Sequence, residues 1–276
     1  MKKVAIAGSG ILAVAFIAAL QLAPTQDIRK EEPPKVEPKP GEGGCPAGAL
    51  ESGMGPDMVR LPEGFCIDKT EVTRGQYEAW LDSKPATSGQ AAACSGNADF
   101  TPTCAWDPGS NKTEQPVVCV DWCDAAAFCK AAGKRLCGKV GGGSYAFASY
   151  DDPNSSEWQA ACTSGGKYEY TYGSTFDTDA CRDADADDYT TWGLDDVGSF
   201  AGCHSPDAAY AKVFDLSGHV AEWDDSCVDD SADAGCRIRG GSYQHHAHGT
   251  RCAAGKELAW PRTRTVDSVG FRCCAD

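Results

Sequence analysis

The clearest alternation of apolar and polar positions runs from Trp122 to Ala132. There Ala125, Ala126, Phe128 and Cys129 recur at helical spacing and Gly133 stops the run. This predicts a helix. Gly75 to Ser83, with Tyr77, Trp80 and Leu81, predicts a second, and Ser155 to Cys162, opening on Ser-Ser-Glu, a short third. Strand expectations are brief: Phe65–Asp68, Gly241–Gln244 and Gly270–Cys273. The chain also holds 31 glycines and 15 prolines. So much irregular backbone fits a loop-rich α+β domain with little regular secondary structure.

A second contrast divides the chain. Met1-Lys2-Lys3 precedes an uncharged run from Val4 to Ala23, long enough to span a bilayer. A cleaved signal peptide and an N-terminal membrane anchor are both open readings, and both place the rest outside the cytoplasm, periplasmic, cell-surface or secreted. Residues 24–44 then mix five prolines with Lys, Glu and Gly, a composition for an extended solvated spacer. The domain proper is 45–276, long enough for one sizeable core.

The formal net charge is −15, from 40 acids against 25 bases, which disfavours nucleic acid and anionic membrane surfaces as partners. Between Asp177 and Asp196 lie eight aspartates. Their spacing imitates the start of an EF-hand, but Asp188 replaces its glycine and Leu194 its closing glutamate, so an EF-hand is excluded. All 16 cysteines lie in the domain, which argues for an oxidising compartment and a disulfide framework. Cys119 and Cys123 alone approach zinc-ligand spacing and have no matching second pair. Sequence neighbours suggest the bridges Cys45–Cys66, Cys94–Cys104, Cys181–Cys203 and Cys227–Cys236.

Val213 to Trp223 centres the domain. Apolar residues flank Ser217-Gly218-His219, which reads as a turn, and two carboxylates, Asp215 and Glu222, bracket it. The plain reading is a buried aromatic turn with solvated acids. The other is an oxygen-donor site for a hard cation such as calcium. The chain has no Gly-x-Ser-x-Gly elbow, and Gly141-Gly142-Gly143 lacks the Lys-Ser/Thr of a phosphate loop.

The turn also resembles the Gly-Asn-Val-x-Glu-Trp signature of the formylglycine-generating enzyme, or sulfatase-modifying factor, family. Ile67 to Thr73, Pro116 to Leu136, Ser156 to Gly166, Arg239 to Tyr243, Arg251 to Ala254 and Gly270 to Cys273 resemble further motifs in that family's order. The resemblance implies a C-type-lectin-like fold and the bridges Cys129–Cys273 and Cys162–Cys252. It also implies structural calcium, held by the side chains of Asp215 and Glu222 and the carbonyls of Gly218 and Val220. A further family metal site falls in the acidic segment, where no ligand is evident. The enzymes of the family use a cysteine pair, binding copper, just after the Gly-Gly-Ser-Tyr motif; soft thiolates select Cu(I). Here that stretch is Gln244-His245-His246-Ala247-His248, and both cysteines are missing.

These observations give a divergent extracytoplasmic binding or structural module with structural calcium, recognising a protein, peptide or glycan, and touching a membrane through the N-terminal segment alone. The alternative is a metal-dependent oxidoreductase of the same family. It would use copper or iron near Ser242, His245 and His248, since imidazole suits such metals and alternate residues of a strand share a face.

Overall fold

In the computed structural model the described residues are 42–48, 53–104, 107–185, 193–255 and 259–276. The apolar N-terminal run and nearly all of the linker, like Asp187 and Asp188 of the acidic segment, lie outside them. Among the described residues no helix is long and apolar enough to cross a membrane.

Three helices form where periodicity and capping agree. Helix α1, Arg74–Asp82, starts at Thr73, whose hydroxyl accepts from the Gln76 amide while the Gln76 side chain accepts from Thr73. Helix α2, Trp122–Ala131, begins with the same reciprocal box between Asp121 and Asp124. Helix α3, Glu157–Thr163, is capped by Ser156 and ends at Ser164 in the left-handed region.

The strands make two four-stranded sheets. In the first the order is β1 (Met58–Arg60), β2 (Cys66–Asp68), β8 (Cys273–Ala275), β3 (Arg135–Leu136), all antiparallel. In the second it is β6 (Ala259–Pro261), β5 (Gly235–Arg239), β4 (Ala221–Cys227), β7 (Val269–Phe271), with β4 and β7 parallel. The C-terminal strand predicted as one piece is therefore two. The chain leaves the second sheet after Phe271 and enters the first at Cys273, and Arg272 is the hinge between them. The expected strand Gly241–Gln244 is a loop with turns instead.

The main core lies between α1, α2 and the second sheet. Tyr77, Trp80, Phe128 and Phe271 pack with ring centroids 5.1–6.2 Å apart. A second core gathers Trp158, Leu216 and Ile67 around the Cys162–Cys252 and Cys137–Cys274 bridges.

All sixteen cysteines are paired. Cys45–Cys66, Cys129–Cys273, Cys162–Cys252, Cys181–Cys203 and Cys227–Cys236 follow expectation. Cys94–Cys104 does not form. Cys94 joins Cys123 in the first turn of α2, and Cys104 joins Cys119, drawn together by the Thr103 amide donating to the Cys119 carbonyl at 3.0 Å. Cys137–Cys274 completes the set and is explained by the pairing of β3 with β8. Eight disulfides place the folded domain in an oxidising compartment, not the reducing cytosol.

One backbone position is tightly specified. Gly241 has φ +69°, and a Cβ there would lie 2.2 Å from the Gly249 carbonyl oxygen. Gly241→Ala is expected to lower stability by more than about 1 kcal/mol. The denaturant midpoint checks it; an unchanged midpoint would mean the Gly249 loop yields.

Candidate functional site

The central turn is strained and pinned. Asp215, Gly218 and His219 have φ +65°, +90° and +57°. A Cβ at Gly218 would lie 2.2 Å from the Arg182 carbonyl oxygen, so only glycine allows that approach. The Gly218 amide donates to the Gly240 carbonyl at 2.8 Å and the His219 amide to the Arg182 carbonyl at 2.6 Å. Left-handed non-glycine residues persist only where their surroundings over-determine them.

The turn's two acids go separate ways. Glu222, on β4, is clamped by Arg272: Nε lies 3.0 and 2.8 Å from its two oxygens and Nη2 2.8 Å from Oε1. Trp158 Nε1 donates to Oε2 at 2.9 Å. Arg272 also donates to the carbonyls of Asp68 and Phe214, which ties both sheets to the turn. Asp215 faces another neighbourhood. Its Oδ2 accepts from the Gly198 amide at 2.6 Å, and its near companions are Glu71 and His219. The His219 Nδ1 sits 2.9 Å from Glu71 Oε1, and its Nε2 3.1 Å from the Asp195 carbonyl.

Burial, with the Glu71 charge added, pushes the Asp215 carboxyl up to about 7. Burial pulls the His219 imidazole down, but Glu71 and Asp215 outweigh it and hold it up at about 9. Of the expected calcium set, Glu222 is hydrogen-bonded on both oxygens by Arg272 and Trp158, and Asp215 has Glu71 and His219 as its neighbours. Glu71 comes from the loop between β2 and α1, 148 residues before His219. In the sequence only its place in the Thr70-Glu71-Val72-Thr73 run, a carboxylate among residues suited to burial, marks it.

The histidine loop also disperses. Ser242 is buried, and its hydroxyl lies 2.9 Å from His245 Nδ1, to which the Ser242 amide donates at 3.1 Å. Burial lowers the His245 imidazole below its ordinary value. His246 pairs with Asp185 at 2.6 Å, and His248 is exposed. The three imidazoles lie on turns and not on the strand face expected of them. Among the described residues the only trio of His, Cys, Asp or Glu donors close enough to share an ion is Glu71, Asp215 and His219. No thiol is free in this loop or elsewhere, so a thiolate copper site does not fit.

Below the loop, Asp224 is fully buried, accepting from Tyr145 Oη at 2.6 Å, with Arg239 Nε 3.9 Å away. Burial pushes its carboxyl up to about 7 despite Arg239. A carboxyl raised in the folded state favours folding while protonated, so its contribution fades as pH rises from about 4 to about 7. Across that window the stability of the wild type relative to Asp224→Asn is expected to fall by a few kcal/mol. Parallel stability–pH curves would refute the assignment.

Residues 30–276 match the family described as sulfatase-modifying factor enzyme 1-like domain. The chain belongs to that family. Two curated sulfatase-modifying-factor relatives bear the name inactive C-alpha-formylglycine-generating enzyme 2. The mouse protein is 28% identical over 182 residues and the bovine protein 30% over 183, each match covering 61% of this chain. The chain spans about half the length of these relatives, 52% and 54%. Among solved structures, PvdO from Pseudomonas aeruginosa superposes with a TM-score of 0.50 at 19% identity, covering 81% of this chain and 90% of PvdO. That likeness shows the fold: the loop-rich α+β architecture is the sulfatase-modifying-factor one.

Proposed function

We propose that this sulfatase-modifying-factor domain is catalytically silent toward cysteine and serves as an extracytoplasmic binding or structural module. The observation that carries the reading is the complete pairing of its sixteen cysteines. Formylglycine generation in this family works through a reactive cysteine pair after the Gly-Gly-Ser-Tyr motif, and here His245 stands in that segment, engaged with Ser242. The name of the mouse and bovine relatives, inactive formylglycine-generating enzyme 2, supports the same reading. The apolar segment to Ala23 and the Pro-rich spacer would tether the domain away from a membrane, where it would meet a protein, peptide or glycan.

The test is incubation of the oxidised domain with copper and a peptide containing Cys-x-Pro-x-Arg, beside an active formylglycine-generating enzyme. No aldehyde is expected by mass spectrometry of the peptide. Aldehyde that disappears with Ser242→Ala or His245→Ala would overturn the proposal.

A further inference from the structure

We propose that Glu71, Asp215 and His219 form a buried site for a borderline divalent cation, zinc foremost, with two carboxylates and one imidazole nitrogen as ligands. One donor atom from each lies within 4.8 Å of the others, and the residues are 0%, 3% and 2% exposed. Three further observations point the same way.

The first is charge. Glu71, Asp215 and Glu222 bring three carboxylates into one buried neighbourhood, and Arg272 brings one guanidinium, 4.0 Å from Glu71 and 2.8 Å from Glu222. Even with a protonated His219 as the second cation beside Arg272, three carboxylates leave one negative charge over, and buried charge without compensation is strongly destabilising. A divalent cation taking the place of the imidazole proton brings the group to neutrality. The second is an orphan atom. Glu71 Oε2 is buried and has no hydrogen-bond partner, an uncommon state for a carboxylate oxygen that an ion would resolve.

The third is the imidazole's orientation. Nε2 faces the Asp195 carbonyl at 3.1 Å, which assigns its N–H there and leaves Nδ1 toward Glu71, to carry either a proton or a metal ion. Metal-bound histidines are usually oriented by such a carbonyl. One nitrogen with two carboxylates suits zinc better than calcium, which takes six to eight oxygens. A proton on Nδ1 is the competing occupant, giving a histidine–glutamate ion pair.

The test uses the full chain, without an affinity tag, made in an oxidising compartment, stripped with chelator and then given zinc chloride or calcium chloride. Expected are one zinc per chain by plasma mass spectrometry, a rise in Tm with zinc and none with equimolar calcium, and a zinc absorption edge showing nitrogen and oxygen ligands with a single imidazole. Glu71→Gln should lose the zinc. His219→Asn, which exchanges nitrogen for an amide oxygen, should lose zinc and gain a response to calcium. A wild-type Tm indifferent to zinc and chelator would overturn the site in favour of the ion pair. Equal zinc in Glu71→Gln would also overturn it, assigning the metal to the exposed loop histidines. If the variants do not fold, an edge with more than one imidazole in the wild type has the same force.

Discussion

Replacing Cys129 and Cys273 together by alanine is expected to destabilise the domain by about 4–5 kcal/mol. The bridge joins α2 to β8 across 144 residues of sequence, but the neighbouring Cys137–Cys274 bridge spans 137 and keeps that long loop closed. Breaking Cys129–Cys273 alone therefore opens only the short ring between the two bridges, for which the chain-entropy account gives about 2.5 kcal/mol. Cys227–Cys236, separated by 9 residues, should lose about the same by loop closure, about 2.5 kcal/mol. The native side makes the contrast, since Cys129 and Cys273 are fully buried beside Phe128, Phe271 and Leu136, where alanine leaves a void. Guanidinium unfolding of the two double variants, each with the other bridges intact, measures the difference. Equal losses would mean that the core closes over the void and loop closure alone governs these bridges.

The framework was legible where a local rule and a burial requirement coincide. Helix α2 carries its apolar face at 3.6-residue spacing, a capping box before it and Gly133 after it, and it forms as predicted. Five bridges were legible, two through family motifs and three through neighbouring cysteines. Cys94–Cys104 failed because proximity along the chain ignores that Cys123 opens a helix packed against Cys94.

Strands β4 and β5 were missed for a physical reason. Ala221–Cys227 reads Ala-Glu-Trp-Asp-Asp-Ser-Cys, with no alternation and three acids, which the pattern assigns to solvent. It is nevertheless largely buried, because Arg272 donates to Glu222, Tyr145 donates to Asp224 with Arg239 beside it, and Ser144 donates to Asp225. Such long-range pairing leaves no periodic trace. The same holds for the site. Asp215 was visible from its turn, but Glu71 joins it only after β2 and the turn dock. For Glu222 the sequence shows neither the Arg272 guanidinium nor the Trp158 indole that hold it.

Arg272→Met should cost about 3–5 kcal/mol, the loss typical of breaking a buried ion pair. Both partners are almost completely buried, at 0% and 1% side-chain exposure, so solvent cannot take over from the missing guanidinium. The variant strands the Glu222 carboxylate in the core and removes donors from the Asp68 and Phe214 carbonyls, which loosens the crossing between the two sheets. The double variant Arg272→Met with Glu222→Gln separates these effects. The introduced side chain is neutral and its amide oxygen can still accept from Trp158 Nε1, so the stranded charge disappears while the orphan carbonyls remain. The double variant should therefore be clearly more stable than Arg272→Met alone, and the recovered part measures the charge. If Arg272→Met costs under about 1 kcal/mol, below the range for breaking a buried pair, Glu222 has another cation within reach. The zinc dependence of that variant's Tm would then show whether the ion assigned to Glu71, Asp215 and His219 has extended to it.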